Sequence, residues 1–156
     1  QAIKDCYEFI LIKEYEKLYL DEYVVTPIRA RHMKNENCFI YLIQKGNKSI
    51  LYANDTGYLY EDAFEYLLKN KIRLDFVSLD CTMVNNPIKD TEGHMGFDGC
   101  NRVALKLKEM GVVDENTQIY VNHFSHNGNP LQDNLEKIAA PFGFKVSFDG
   151  LEIELV

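Results

Sequence analysis

Apolar and polar positions along the chain fall into two rhythms. The first third has the short runs of strands. Phe9-Ile-Leu-Ile12 is a brief apolar run, and Tyr23-Val-Val-Thr-Pro27 is β-branched and ends at a proline, which suits an edge or a strand end. Cys38–Ile43 and Ser49–Ala53 flank Gln44–Lys48, where Gly46-Asn47 marks a hairpin turn. The rhythm then changes to helical spacing. Glu61–Asn70 carries Ala63, Phe64, Leu67 and Leu68 on one face, with acids in its first turn. Leu74–Leu79 reads as a buried strand, and Cys100, Val103, Ala104, Leu107 and Met110 as a helix closed by Gly111. Gln118–Val121 is a strand. Asn129-Pro130 caps a helix through Leu131, Leu135, Ile138 and Ala139 that stops before Pro141. Lys145–Phe148 and Leu151–Leu155 flank Asp149-Gly150, a hairpin signal.

The order is therefore β-rich, then α, β, α, β, α, then a terminal hairpin. No repeat, linker or low-complexity stretch interrupts it. The pattern predicts one α/β (α+β layered) domain over residues 1–156, a mixed sheet with helices on one face. Nothing within the chain obviously covers the other face.

Composition narrows this little. The 156 residues are 46% hydrophobic and 26% charged, an ordinary globular balance. The chain has no apolar run long enough for a membrane span and no opening signal sequence, so no membrane partner is expected. Charge is more informative. With 24 Asp+Glu against 17 Lys+Arg, the net charge is −7. Direct nucleic-acid binding is not expected from such a chain, and the sequence displays no basic patch to reverse the sign. The four cysteines, Cys6, Cys38, Cys81 and Cys100, lack Cys-x-x-Cys spacing and read as core or near-core thiols, pointing to a cytoplasmic location.

All four histidines, His32, His94, His123 and His126, fall outside the predicted helices and strands. His32, Asp55, Asp80 and the pair His123/His126 each follow a predicted strand, where open α/β sheets place their sites. Singly, each has an ordinary explanation: a surface histidine, an Asp-Thr-Gly turn, a capping acid. Jointly they form the imidazole–carboxylate set that suits zinc or manganese.

Four segments give this set a family likeness. Thr26-Pro-Ile-Arg-Ala-Arg-His32, Ile50-Leu-Tyr-Ala-Asn-Asp55-Thr-Gly, Leu79-Asp-Cys-Thr82 with Gly93-His94-Met, and Tyr120-Val-Asn-His123-Phe-Ser-His126 occur in the order found in metallo-β-lactamase-fold hydrolases. The chain resembles the C-terminal half of that fold, and most of all its cyclic phosphodiesterase branch in phosphonate catabolism, with RNase Z more distant. The closing Phe148–Ile153 also fits that branch. The resemblance implies half of a helix–sheet–sheet–helix sandwich. It also implies a phosphodiesterase with a dinuclear-metal-activated water. In that scheme His32 and His123 bind one zinc or manganese each, Asp55 bridges the two, His94 acts as proton donor or phosphate holder, and Asp80 and His126 orient their neighbours. Metals would also reconcile an acidic chain with a small anionic phosphodiester.

One departure is large. The family's His-x-His-x-Asp-His motif is absent, and no histidine precedes His32. With Gln1 in place of Met, the expectation is a fragment whose N-terminal metal-motif half lies elsewhere. Such a chain alone should be inactive and bind metal weakly or not at all. The alternatives are a non-catalytic half-domain interaction module, or another hydrolase on the same fold, such as a thioesterase, lactonase or β-lactamase. In either case the sheet face around Phe39–Leu42, Ile50–Tyr52 and Phe76–Leu79 is expected to pack against the missing half or a second copy of the chain.

Overall fold

The computed structural model describes residues 9–85, 93–126 and 131–155. Seven strands form one sheet in sequence order: β1 Leu18–Leu20, β2 Tyr23–Arg29, β3 Phe39–Lys45, β4 Lys48–Ala53, β5 Phe76–Asp80, β6 Gln118–Asn122 and β7 Lys145–Val146. The pairs β1–β2, β2–β3 and β3–β4 are antiparallel; β4–β5, β5–β6 and β6–β7 are parallel. The sheet is mixed, as predicted. Each parallel step is made through one helix: α1 Glu61–Lys69, α2 Phe97–Glu109 or α3 Gln132–Ala139. Right-handed crossovers taken in sequence order put all three helices on one face.

Registration explains why that face is the core. Thr26, Ile28, Ile40, Leu42, Leu51, Ala53, Val77, Leu79 and Val121 share a side and are all buried. Against them pack Ala63, Phe64 and Leu67 of α1, Cys100, Val103 and Leu107 of α2, and Leu135 and Ala139 of α3, all in the same apolar cluster. The opposite side carries Tyr41, Ile43, Ile50, Tyr52 and Phe76, half-buried or exposed. Tyr52 is 44% exposed, while Phe76 stacks on Tyr120 with centroids 5.4 Å apart.

Several expectations are corrected. Phe9–Ile12 forms no strand, and Phe9 and Leu11 are exposed. An apolar run has no strand without a neighbour to pair with. β2 does not end at Pro27 but runs on to Arg29. The short β1, which the sequence pattern does not reveal, covers it only at Tyr23–Val25, and beyond Val25 β2 is an edge strand. The Pro27 carbonyl accepts from Tyr15 N at 2.7 Å on the β1 side, so the ring nitrogen also faces away from β3 and no ladder bond is lost. The terminal hairpin does not form. Lys145–Val146 pairs in parallel with β6 instead, and residues 151–155 run without a ladder after a turn at Gly150. The proposed Asn129-Pro130 cap lies outside the described residues; α3 has Leu131 at its N-cap.

The entry to α2 is tightly built. A Cβ on its N-cap residue, Gly96, would overlap the Val84 carbonyl oxygen, which accepts from Phe97 N. Gly96→Ala is therefore expected to destabilise the protein by about 1–3 kcal/mol, as overpacking does, read as a lowered midpoint of thermal unfolding.

Candidate metal centre

Because β2, β4, β5 and β6 run in the same direction, their C-terminal ends share one edge of the sheet. His32 follows β2, Asp55 follows β4, Asp80 closes β5, and His123 follows β6. His94 comes from the segment leading into α2. Three loops are laced together at Arg31, whose carbonyl accepts from Gly57 N and Gly93 N, both at 2.8 Å. Arg31 N in turn donates to the buried Thr56 hydroxyl at 3.0 Å.

The side chains converge. Asp55, Asp80, His94 and His123 each offer a ligand-type atom within 4.8 Å of the others. His32 stands beside them, its Nε2 4.0 Å from an Asp55 oxygen, and His123 Nε2 is 3.4 Å from the same oxygen. The rings of His32 and His94 lie 5.0 Å apart, and those of His94 and His123 5.6 Å apart. Five of the six predicted site residues thus share one cluster. His126 is exposed and stands outside the four-residue group.

The two carboxylates differ in kind. Asp80 is fully buried and accepts Thr82 N at 3.0 Å, Thr56 N at 3.3 Å and His94 Nδ1 at 2.9 Å. Its oxygens are already engaged. The Asp55 side chain is 55% exposed and only approaches the two histidines.

Hydrogen bonding also sets each imidazole's tautomer. His32 Nδ1 lies 3.1 Å from the Gly93 carbonyl, which can only accept, so Nδ1 carries the proton and Nε2 keeps its lone pair towards Asp55. His94 Nδ1 donates to Asp80 by the same reasoning. Thr82 fixes His123. Its hydroxyl donates to the His123 carbonyl at 2.8 Å and therefore accepts from His123 Nδ1 at 2.7 Å. Metal-binding histidines have this pattern, one nitrogen free and the other held. Thr82 closes the family-like segment Leu79-Asp-Cys-Thr82, and its one sequence signal is its place two residues after Asp80.

Asp55 and His123 have φ of 51° and 61°. This left-handed region is uncommon for residues other than glycine, though Asp and His tolerate it better than most. Two strained backbones at two candidate ligands indicate that side-chain placement outranks local comfort here.

Thr82→Val removes the acceptor while keeping the shape. The His123 Nδ1–H signature in 15N imidazole spectra should be lost, and zinc affinity should fall about tenfold, a typical loss for a supporting partner of a ligand. Thr82→Ser should restore both.

No protein-family model and no curated protein matches the sequence. Solved structures do match. YhfI from Bacillus subtilis, a metallo-β-lactamase-fold protein, superposes with a TM-score of 0.63 at 18% identity, over 88% of this chain and 51% of its own. The fold is that of the metallo-β-lactamases. A diphosphatase of the PhnP family matches with a TM-score of 0.59 at 21% identity, over 96% of this chain and 50% of its own. The short form of human tRNase Z gives 0.59 at 14%, over 89% and 46%. The chain thus spans about half the length of these metallo-β-lactamase-fold proteins. The donor set, imidazoles with free Nε2 atoms around an accessible carboxylate, fits divalent metal ions. Among the described residues no helix is long and apolar enough to cross a membrane.

Proposed function

We propose that this chain is the C-terminal half of a metal-dependent hydrolase acting on small anionic phosphodiesters, and that it is inactive alone. The observation that carries the reading is the convergence of His32 Nε2, Asp55 and His123 Nε2 beside an imidazole held by a buried carboxylate. His32 and His123 would each hold one divalent ion, zinc or manganese, with Asp55 between them. When bound, such a pair supplies a water of lowered pKa and offsets the charge of the phosphodiester. His94 faces the leaving oxygen. Asp80 accepts from its Nδ1 and fixes the ring, so that Nε2 is the nitrogen presented for proton transfer. Thr82 and Gly93 hold the His123 and His32 rings in register. His126 sits at the substrate side as an orienting group. Substrate choice resides in loops, and the fold alone does not fix it; two of the matched structures are named diphosphatase and tRNase, which supports phosphorus chemistry.

The half-exposed sheet face is part of the same reading. Tyr41, Ile43, Ile50, Tyr52 and Phe76 would pack against the N-terminal half of the fold, or a second copy in its absence. Asn122 Oδ1, buried with no hydrogen-bond partner among the described residues, lies on that side and would gain one. The same reading expects neither a membrane nor a nucleic-acid partner and a cytoplasmic location, where thiols such as Cys38, Cys81 and Cys100 stay reduced.

The test uses the natural polypeptide with whatever its gene encodes upstream of Gln1. It should hydrolyse bis(p-nitrophenyl) phosphate and lose that activity to a chelator. Turnover of thioesters or lactones without phosphodiesters would replace the reading by another hydrolase. An initiator Met immediately before Gln1, with no turnover, would favour an interaction module. The 156-residue chain alone should bind zinc or manganese weakly; tight stoichiometric binding would contradict the half-site. A stable monomer with the aromatic face solvated would remove the packing partner.

A further inference from the structure

The two strained residues of the candidate centre share a feature of their surroundings. Asp55 follows Asn54, and His123 follows Asn122. Both asparagines reach the same side chain. Asn122 Nδ2 donates to the Ser78 hydroxyl, which in turn donates to Asn54 Oδ1 at 3.3 Å. Asn54 Nδ2 continues the chain to the Tyr52 hydroxyl at 2.8 Å. Turning the amides over reverses the donors without breaking the ladder. Ser78 lies in the middle of β5, between the strands that lead to Asp55 and His123, and is 2% exposed. A buried hydroxyl between Val77 and Leu79 must be satisfied, and these two asparagines satisfy it.

Backbone pairing does not replace this link. The β4–β5 register ends with Ala53 opposite Leu79, so Asn54, the next residue, reaches β5 through its side chain. On the other flank Asn122 stands opposite Asp80 in the last β5–β6 pair. Asp55 and His123 then turn at φ 51° and 61°. Such conformations persist only where the surroundings over-determine them. A single serine that holds the residue before each one meets that requirement. The same gap between β5 and β6 is crossed a step later by the bond from His123 Nδ1 to Thr82 at 2.7 Å.

We propose that Ser78, acting through Asn54 and Asn122, is a positioning residue that sets the separation of Asp55 from His123, 3.4 Å from carboxylate oxygen to Nε2. Its effect on metal rests on the metal-centre reading above; its hold on the His123 ring does not. The test uses the 156-residue chain. In Ser78→Ala, exchange of the His123 Nδ1 proton with water, read in 15N imidazole spectra, should be about tenfold faster, and zinc affinity should fall about tenfold. Ser78→Thr keeps the hydroxyl and should stay within about twofold of wild type on both counts. Asn54→Leu, at a half-exposed position, cuts the Asp55 arm alone: zinc affinity should fall while the His123 proton exchanges as in wild type. Val103→Ala opens a cavity in the core at α2 and should lower the unfolding midpoint with zinc affinity unchanged. Wild-type proton exchange in Ser78→Ala would overturn the proposal. So would accelerated exchange with unaltered zinc affinity, or an equal loss of affinity in Val103→Ala, which would make stability the cause. A wild-type chain that takes up no zinc, with exchange still accelerated by Ser78→Ala and restored by Ser78→Thr, would keep the positioning role and remove the metal reading.

Discussion

Asp80→Ala is expected to unfold the protein most readily of any change in the candidate site. The Asp80 side chain is wholly buried and ends three donors: Thr82 N, Thr56 N and His94 Nδ1. Thr56 is itself fully buried, so its amide has no route to water once the carboxylate is gone. A buried donor left unsatisfied costs about 1–3 kcal/mol. Two such amides and a small void together lose roughly 3–5 kcal/mol, which for a domain of this size lowers the unfolding midpoint by roughly 10 °C. Asp80→Asn should lose about half as much, because the amide keeps one acceptor and the volume. Thermal unfolding followed by circular dichroism reads both. A midpoint for Asp80→Ala within 2–3 °C of wild type, on the order of 1 kcal/mol, would show that water reaches these amides and that the carboxylate is not a structural anchor.

Much of this arrangement was legible in the sequence, and the reasons are local. α1 and α2 announce themselves because Ala63, Phe64 and Leu67, and Cys100, Val103 and Leu107, recur at helical spacing, and the structure buries those residues. The Gly46-Asn47 hairpin is fixed by turn chemistry alone, with Lys45 opposite Lys48 and Gly46 at φ 57°. The five clustered side chains were legible because each follows a strand, or a strand's connection to α2, and parallel strands bring such positions to one edge. What failed depends on distant partners. Leu151–Leu155 alternates as a strand should, yet β7 pairs with β6 in parallel, and the segment after Gly150 has no ladder to join. The contact of Arg29 and Arg31 with Tyr60 joins positions far apart in the chain and cannot be seen as a charge run. The difference between Asp55 and Asp80 is likewise tertiary. Both follow strands and both precede small residues, and only the fold shows one exposed and the other sealed.

That difference yields the second large effect, opposite in kind. Asp55→Gly should abolish function while leaving stability almost untouched. The Asp55 side chain is more than half exposed, and among the described residues it approaches His32 Nε2 at 4.0 Å and His123 Nε2 at 3.4 Å. Its backbone sits at φ 51°, where glycine is at ease and an L-residue is strained by about 1–2 kcal/mol. Glycine relieves that strain but gains about 0.5–1 kcal/mol of unfolded-state freedom, so the two terms nearly cancel. The unfolding midpoint should therefore stay within ~3 °C of wild type, equivalent to about 1 kcal/mol. Metal affinity should respond quite differently. Asp55 is the accessible carboxylate between the two free Nε2 atoms, and without it neither histidine has an anionic co-ligand. Zinc affinity, measured by competition with a chromophoric chelator, should fall by more than the roughly 10–100-fold typical of losing a supporting partner. Phosphodiester hydrolysis by the natural polypeptide should fall to background. Unchanged zinc affinity would move the centre away from Asp55 and onto the His94–Asp80 side of the cluster. A midpoint lowered as far as in Asp80→Ala would mean instead that Asp55 is a structural turn residue, and that its left-handed backbone serves the loop rather than a metal.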